Sequence, residues 1–181
     1  MVLEQIQRTK RGMSTRIPIP KQEQGELFKI IAPDDDYTVQ GKKSPSTPPT
    51  KVAIFGSRSI MDVRAKVVIN EILSEYPTIT AIVTTQEPRG VCEIAQAVAK
   101  EKSLILELHF LDFKYVKGAF EHRSYDVIKS ADFVLLIHDG VSKGTKNELG
   151  YTLKSKKPYR YIVMQPSNVY TDRNVGENMI A

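Results

Sequence analysis

The sequence predicts a three-layer α/β domain built on a five-stranded parallel sheet, preceded by a largely irregular N-terminal arm. Three observations predict it. Short apolar runs alternate with amphipathic helical stretches from Lys51 onward. The apolar runs are continuous rather than alternating, which is how strands buried on both faces read. Glycine or small polar residues follow several of the runs, where the chain must turn from strand to helix. Strand-helix alternation of this kind folds as a Rossmann-like sheet with helices on both faces and right-handed crossovers.

The elements follow in order. KVAIFG (51–56) reads as a buried strand and MDVRAKVVINEILSEY (61–76) as a helix, with apolar residues at 63, 67, 68, 69, 72 and 73. ITAIVTT (79–85) is the second strand and VCEIAQAVAKEK (91–102) the second helix. LILELHF (104–110) is the third strand, and a polar helix covers 118–130. DFVLLIH (132–138), KNELGYTLKSKK (146–157) and YRYIVM (159–164) complete the set as strand, helix and strand.

The chain therefore divides into an arm and Pro/Ser/Thr-rich linker (1–50), the domain (51–165) and a tail (166–181). The arm ends in GKKSPSTPPT, a linker composition. Earlier, IPIP (17–20) and ELFKIIAPDDDYTV (26–39) carry apolar clusters that suit docking on the domain or on a protein partner.

Composition excludes several classes. No apolar stretch reaches the roughly 20 residues of a membrane span. The opening MVLEQIQRTKRGMSTR holds no apolar run of the roughly 7–15 residues in a secretory signal, so a cytoplasmic chain is expected. The lone Cys92 fits a reducing compartment and is expected to be buried on a helix. His109, His122 and His138 lack ligand spacing, so no metal site and no cofactor are expected. Residues 51–164 hold 17 basic and 13 acidic side chains, a net charge of +4. That favours small anions mildly and makes nucleic acid a less favoured partner.

Ligands of such sheets lie beyond the carboxyl ends of the strands. Four loops reach that edge. In GSRSIMD, Gly56, Ser57 and Arg58 offer backbone N–H groups, a hydroxyl and a guanidinium to an anion. In TTQEPRGVCE, Thr84, Thr85, Arg89 and Gly90 form a second candidate anion loop. FKYVKGAFEHRSYD supplies Arg123, with His122 beside it and Tyr115 before it. In DGVSKGTKNELGY, Gly140, Gly144 and Thr145 could approach a phosphate or sugar, with Glu148 and Asp139 as candidate catalytic carboxylates. Each loop also has a purely structural reading. Thr145-x-x-Glu148, in particular, has the form of a helix capping box.

Taken together, the four loops resemble the SLOG superfamily (Smf/DprA and LOG proteins), closest to its YspA-like branch over roughly residues 51–164. GSR at 56–58 and DGVSKGT at 139–145 match that branch, and Arg123 stands in its arginine position with His122 in place of asparagine. GTKNELGY is similar to the GT-x-x-E segments of LOG phosphoribohydrolases and nucleoside deoxyribosyltransferases. The resemblance implies a nucleotide-like ligand, with Glu148 as the nucleophile if an N-glycosidic activity carries over and Asp139 as the second carboxylate. It departs at one loop: where the branch has Gly-Gly-Ala-Arg-Gly-Val-Asp, this chain has Thr85-Gln86-Glu87-Pro88-Arg89-Gly90-Val91-Cys92.

The expected function is thus binding of a nucleotide or nucleotide-derived ligand by a sensor-type or sequestering domain. The alternatives are an N-glycosidase or deoxyribosyltransferase acting through Glu148, and a single-stranded DNA-binding or protein-interaction scaffold. A homodimer is a further partner the resemblance allows.

Overall fold

The computed structural model describes residues 37–61 and 63–165. The tail at 166–181 and the arm's apolar clusters before residue 37 lie outside the described residues. In chain order the elements are β1 (Tyr37–Lys43), β2 (Lys51–Gly56), α1 (Val63–Glu75), β3 (Ala81–Thr85) and α2 (Val91–Glu101). They continue with β4 (Ile105–His109), α3 (Ala119–Ser130), β5 (Phe133–His138), α4 (Lys143–Lys154) and β6 (Tyr159–Met164). The α/β class holds, but the sheet does not match the expected five parallel strands. It has six strands in the order β1-β6-β5-β2-β3-β4, and it is mixed, because β1 runs antiparallel to β6.

The sixth strand comes from residues read as part of the arm. YTVQGKK has no continuous apolar run, and only Tyr37 is fully buried. As an edge strand it needs one inward row only, and the ladder is broken between Val39 and Gly41. The pattern that betrays central strands is therefore missing. The linker at 44–50 then carries the chain from the edge to the middle of the sheet.

β2 is the pivot. It pairs in parallel with β3 on one side and β5 on the other. Its alternate residues feed two cores. Val52 and Ile54 pack with Ala65, Val68, Ile69 and Ile72 of α1 and Val91, Ala95 and Val98 of α2. Ala53 and Phe55 join Val127 and Ile128 of α3 on the opposite face, against which Leu149 and Tyr151 of α4 pack. Both faces being covered explains why β2 and β5 read as unbroken apolar runs. Cys92 is buried on α2, as expected. No helix among the described residues is long and apolar enough to cross a membrane.

One ion pair ties α1 to the sheet. Arg160 of β6 is 2% exposed and donates two hydrogen bonds to Glu75, at 2.6 and 2.9 Å. Desolvation, together with the Glu75 carboxylate, pushes the neighbouring Tyr76 hydroxyl up to about 12. Removing one partner of such a pair strands the other charge. Glu75→Ala should cost about 2–4 kcal/mol, and adding Arg160→Met should recover most of it. Urea unfolding of the two variants checks both values.

Candidate functional site

Strand order reverses at β2: β3 lies to one side and β5 to the other. The loops that diverge there frame a cavity of about 520 Å³ at the carboxyl edge, closed by α3 and α4. That volume lies within the usual range of roughly 300–1,000 Å³ for small-molecule sites.

Two glycines fix the frame. A Cβ on Gly56 would lie 2.4 Å from Val91 Cβ and 2.6 Å from the Ile137 carbonyl oxygen. Gly90 has φ +75°, and its Cβ would lie 2.4 Å from the Arg58 Cα. Only glycine lets the β3–α2 loop rest on the Ser57–Arg58 backbone at Gly90, and lets Val91 and β5 close on the end of β2 at Gly56. Gly90 thus acts through packing and does not line the cavity.

The β5–α4 turn is held from inside. Asp139 Oδ1 accepts the N–H groups of Val141 (2.9 Å) and Ser142 (2.7 Å), while Oδ2 accepts the Ser59 hydroxyl at 2.6 Å. The Asp139 N–H donates to Ser57 Oγ, which lies 3.4 Å from Thr145 Oγ1. Burial works to raise the Asp139 carboxyl. Its bonds from Ser59, Ser142, Val141 and Ser57 prevail and hold it below the usual carboxylate range. Both of its oxygens are therefore committed, Oδ1 to the turn and Oδ2 to Ser59 of the β2–α1 loop. Behind it, the Ser142 carbonyl can only accept, so His138 Nε2 donates to it (2.9 Å), and Nδ1 is hydrogen-bonded to the Tyr161 hydroxyl at 2.6 Å.

Helix α4 starts earlier than the sequence spacing implied. Its N-cap is Ser142, so Thr145 lies within the first turn and Glu148 beyond it. The capping-box reading of Thr145 and Glu148 thus fails, because Glu148 is too deep in the helix to reach back to the cap. Instead Gly144, Thr145, Asn147, Glu148 and Tyr151 recur at helical spacing along the wall facing the cavity.

The Glu148 carboxyl is half-buried there and makes no hydrogen bond to a described residue. Desolvation pushes it up to about 8, against the pull of Arg123 and Arg58 and with a further push from Glu87. Below that value it is neutral, a donor as well as an acceptor.

Opposite stands a three-residue bridge. Arg123 of α3, only 7% exposed, donates to Glu87 Oε1 at 3.0 Å. Arg58 reaches Glu87 Oε2 at 2.9 Å. The Arg123 Nε–H is buried without an acceptor among the described residues. Phe120 lies against the Arg123 guanidinium, with the ring centroid 5.4 Å away. Beyond the bridge, a second cavity of about 330 Å³ is bounded by Phe110, Leu111 and Phe113.

The structure thus gathers Gly56, Arg58, Thr85, Arg123, Asp139, Gly144, Thr145 and Glu148 around one cavity, with Ser57 bonded just behind them. It does not bring in Thr84, whose hydroxyl donates to the Ile54 carbonyl within the sheet. Nor does it bring in Arg89, an exposed side chain turned toward Met61, or Gly140, at φ +88° in the turn. His122 stacks on Tyr115 outside the cavity, with ring centroids 3.9 Å apart. Sequence reasoning missed Ser59, Phe120, Glu121, Asn147 and Tyr151 as lining residues, and Glu87 as the partner of both arginines. Helical spacing from Glu148 could have found Tyr151. Among the described residues no cluster of His, Cys, Asp and Glu could hold a metal.

Comparison with protein-family models, with curated proteins and with solved structures finds no match.

A carboxyl whose folded-state pKa lies above its unfolded value costs stability once the unfolded chain ionises. The cost is absent below about pH 4, grows as pH rises and levels off above about 8. Glu148→Gln, which carries no charge, should therefore stabilise the protein by about 1–3 kcal/mol at pH 7.5. The gain should fade toward pH 4.5. Thermal unfolding of both proteins across that range measures it.

Proposed function

We propose that the carboxyl-edge cavity binds a nucleotide or nucleotide-derived small molecule, and that the domain works as a sensor or sequestering module of the SLOG kind. One observation carries the reading: the buried Arg123 side chain and the unbonded Glu148 carboxyl line the same cavity at the carboxyl edge of the sheet. Buried charged side chains are costly to keep, and a cleft that holds them is a candidate ligand site. A carboxyl shifted strongly by burial is a second mark of a functional cleft. Thr145, Asn147 and Glu148 offer directional contacts to sugar hydroxyls, while Tyr151 and Phe120 add aromatic surface for a base.

The glycosidic alternative asks more of Glu148. A nucleophile must be ionised, and burial holds this carboxyl neutral below about pH 8. Asp139, the proposed second carboxylate, already has both oxygens hydrogen-bonded, one within its turn and one to Ser59. Binding is therefore the better reading. A cytoplasmic setting, a homodimer and a protein partner for the arm belong to the same proposal, and the lone Cys92 goes with the first of these.

Isothermal titration with a panel of nucleosides, nucleoside monophosphates and NAD-type compounds tests it. At least one should bind, and Arg123→Met should weaken it by about tenfold or more. Chromatography of the same mixtures should return every compound intact. Free base that rises with pH through about 8 and disappears in Glu148→Gln would instead establish the glycosidic reading.

A further inference from the structure

The Arg58–Glu87–Arg123 bridge fixes the charge of the cavity before any ligand arrives. Two arginines from different elements, one in the β2–α1 loop and one on α3, converge on a single point. Such a pair suits a phosphate, because each guanidinium can fork onto an anion's oxygens. Here the point is taken by the carboxylate of Glu87, one oxygen to each arginine.

Glu87 is also held in place. Gln96 donates from Nε2 to the Thr85 and Glu87 carbonyls, at 3.0 and 3.2 Å, which pins the loop on both sides of Gln86. Pro88 follows directly and fixes its own φ. Gly90 locks the far end of the loop against the Arg58 backbone. A carboxylate anchored this way meets its arginines as an intramolecular group, at an effective concentration a free anion has to exceed. Arg58 and Arg123 are the only cationic side chains among the described lining residues, against carboxylates at Glu87, Glu121 and Asp139. A dianion would find no spare positive charge. What the cavity does offer are single, directional groups: the Glu148 carboxyl, the Thr145 hydroxyl and the Asn147 amide.

We infer that Glu87 acts as a built-in anion that selects against phosphate, so that this cavity takes an uncharged nucleoside in preference to its phosphorylated form. The inference rests on the nucleotide-type reading above and narrows it to one charge class. Glu87 is then the specificity-determining residue.

Isothermal titration decides it, using nucleosides, their monophosphates and inorganic phosphate against the wild type, Glu87→Gln and Glu87→Gln/Arg123→Gln. The wild type should favour at least one nucleoside over its monophosphate by about tenfold or more, and should take up inorganic phosphate weakly. Glu87→Gln should lower that preference by about tenfold or more and gain inorganic phosphate binding, and the added Arg123→Gln should remove the gain. Glu87→Asp, which keeps the charge but withdraws it by one methylene, should move the preference the same way by a smaller amount. It serves if the glutamine variant melts early. Phosphate binding unchanged in both folded Glu87 variants, or a wild type that prefers the monophosphate, would overturn the inference. Were no nucleoside to bind while Glu87→Gln still gained phosphate, the role of Glu87 would stand and the nucleoside reading would fall.

Discussion

The backbone contact between the loops after β2 and β3 is the constraint on which the site depends. Gly90 leaves no room for a Cβ against the Ser57 and Arg58 backbone, and Gly56 leaves none against the Val91 side chain, so the two loops pack directly on each other. That contact sets Arg58 and Glu87 face to face at the point where strand order reverses. α3 then has only to bring Arg123 to the same carboxylate. A side chain at either glycine would push the loops apart, and the bridge between the arginines would open with them.

From that frame follows a cavity with unusual electrostatics for an arginine-bearing site. Its two cations share one built-in carboxylate, its Asp139 is taken up by the β5–α4 turn and Ser59, and its remaining carboxyl is kept neutral by burial. The three features are independent in origin, coming from the β3–α2 loop, the β5–α4 turn and the α4 wall. All three favour hydrogen-bonding groups over charge. The unsatisfied guanidinium N–H and the half-buried carboxyl both cost the free protein stability.

Much of the scaffold was legible in the chain, for a physical reason. Strands β2, β3 and β5 are covered on both faces, and such burial writes itself as unbroken apolar runs such as VAIF and FVLLI. β1 was not legible because an edge strand needs only one inward row, and Tyr37 and Val39 supply it amid polar residues. The start of α4 was misplaced because Thr145-x-x-Glu148 imitates a cap, whereas the turn is organised by Asp139 around Ser142.

The site was legible in its loops and not in its charges. Sequence alone presents Glu87 as an intrusion into an anion loop; its meaning depends on Arg123, 36 residues away. The state of Glu148 depends on burial between α3 and α4, which no local pattern reports. The most direct measurement is therefore a carbon-13 NMR titration of the Glu148 carboxyl in the free protein, assigned with Glu148→Gln. The account predicts a midpoint near 8. A midpoint near the ordinary glutamate value of about 4.3 would contradict it, returning a charged carboxylate to the cavity and a nucleophile to the range of readings.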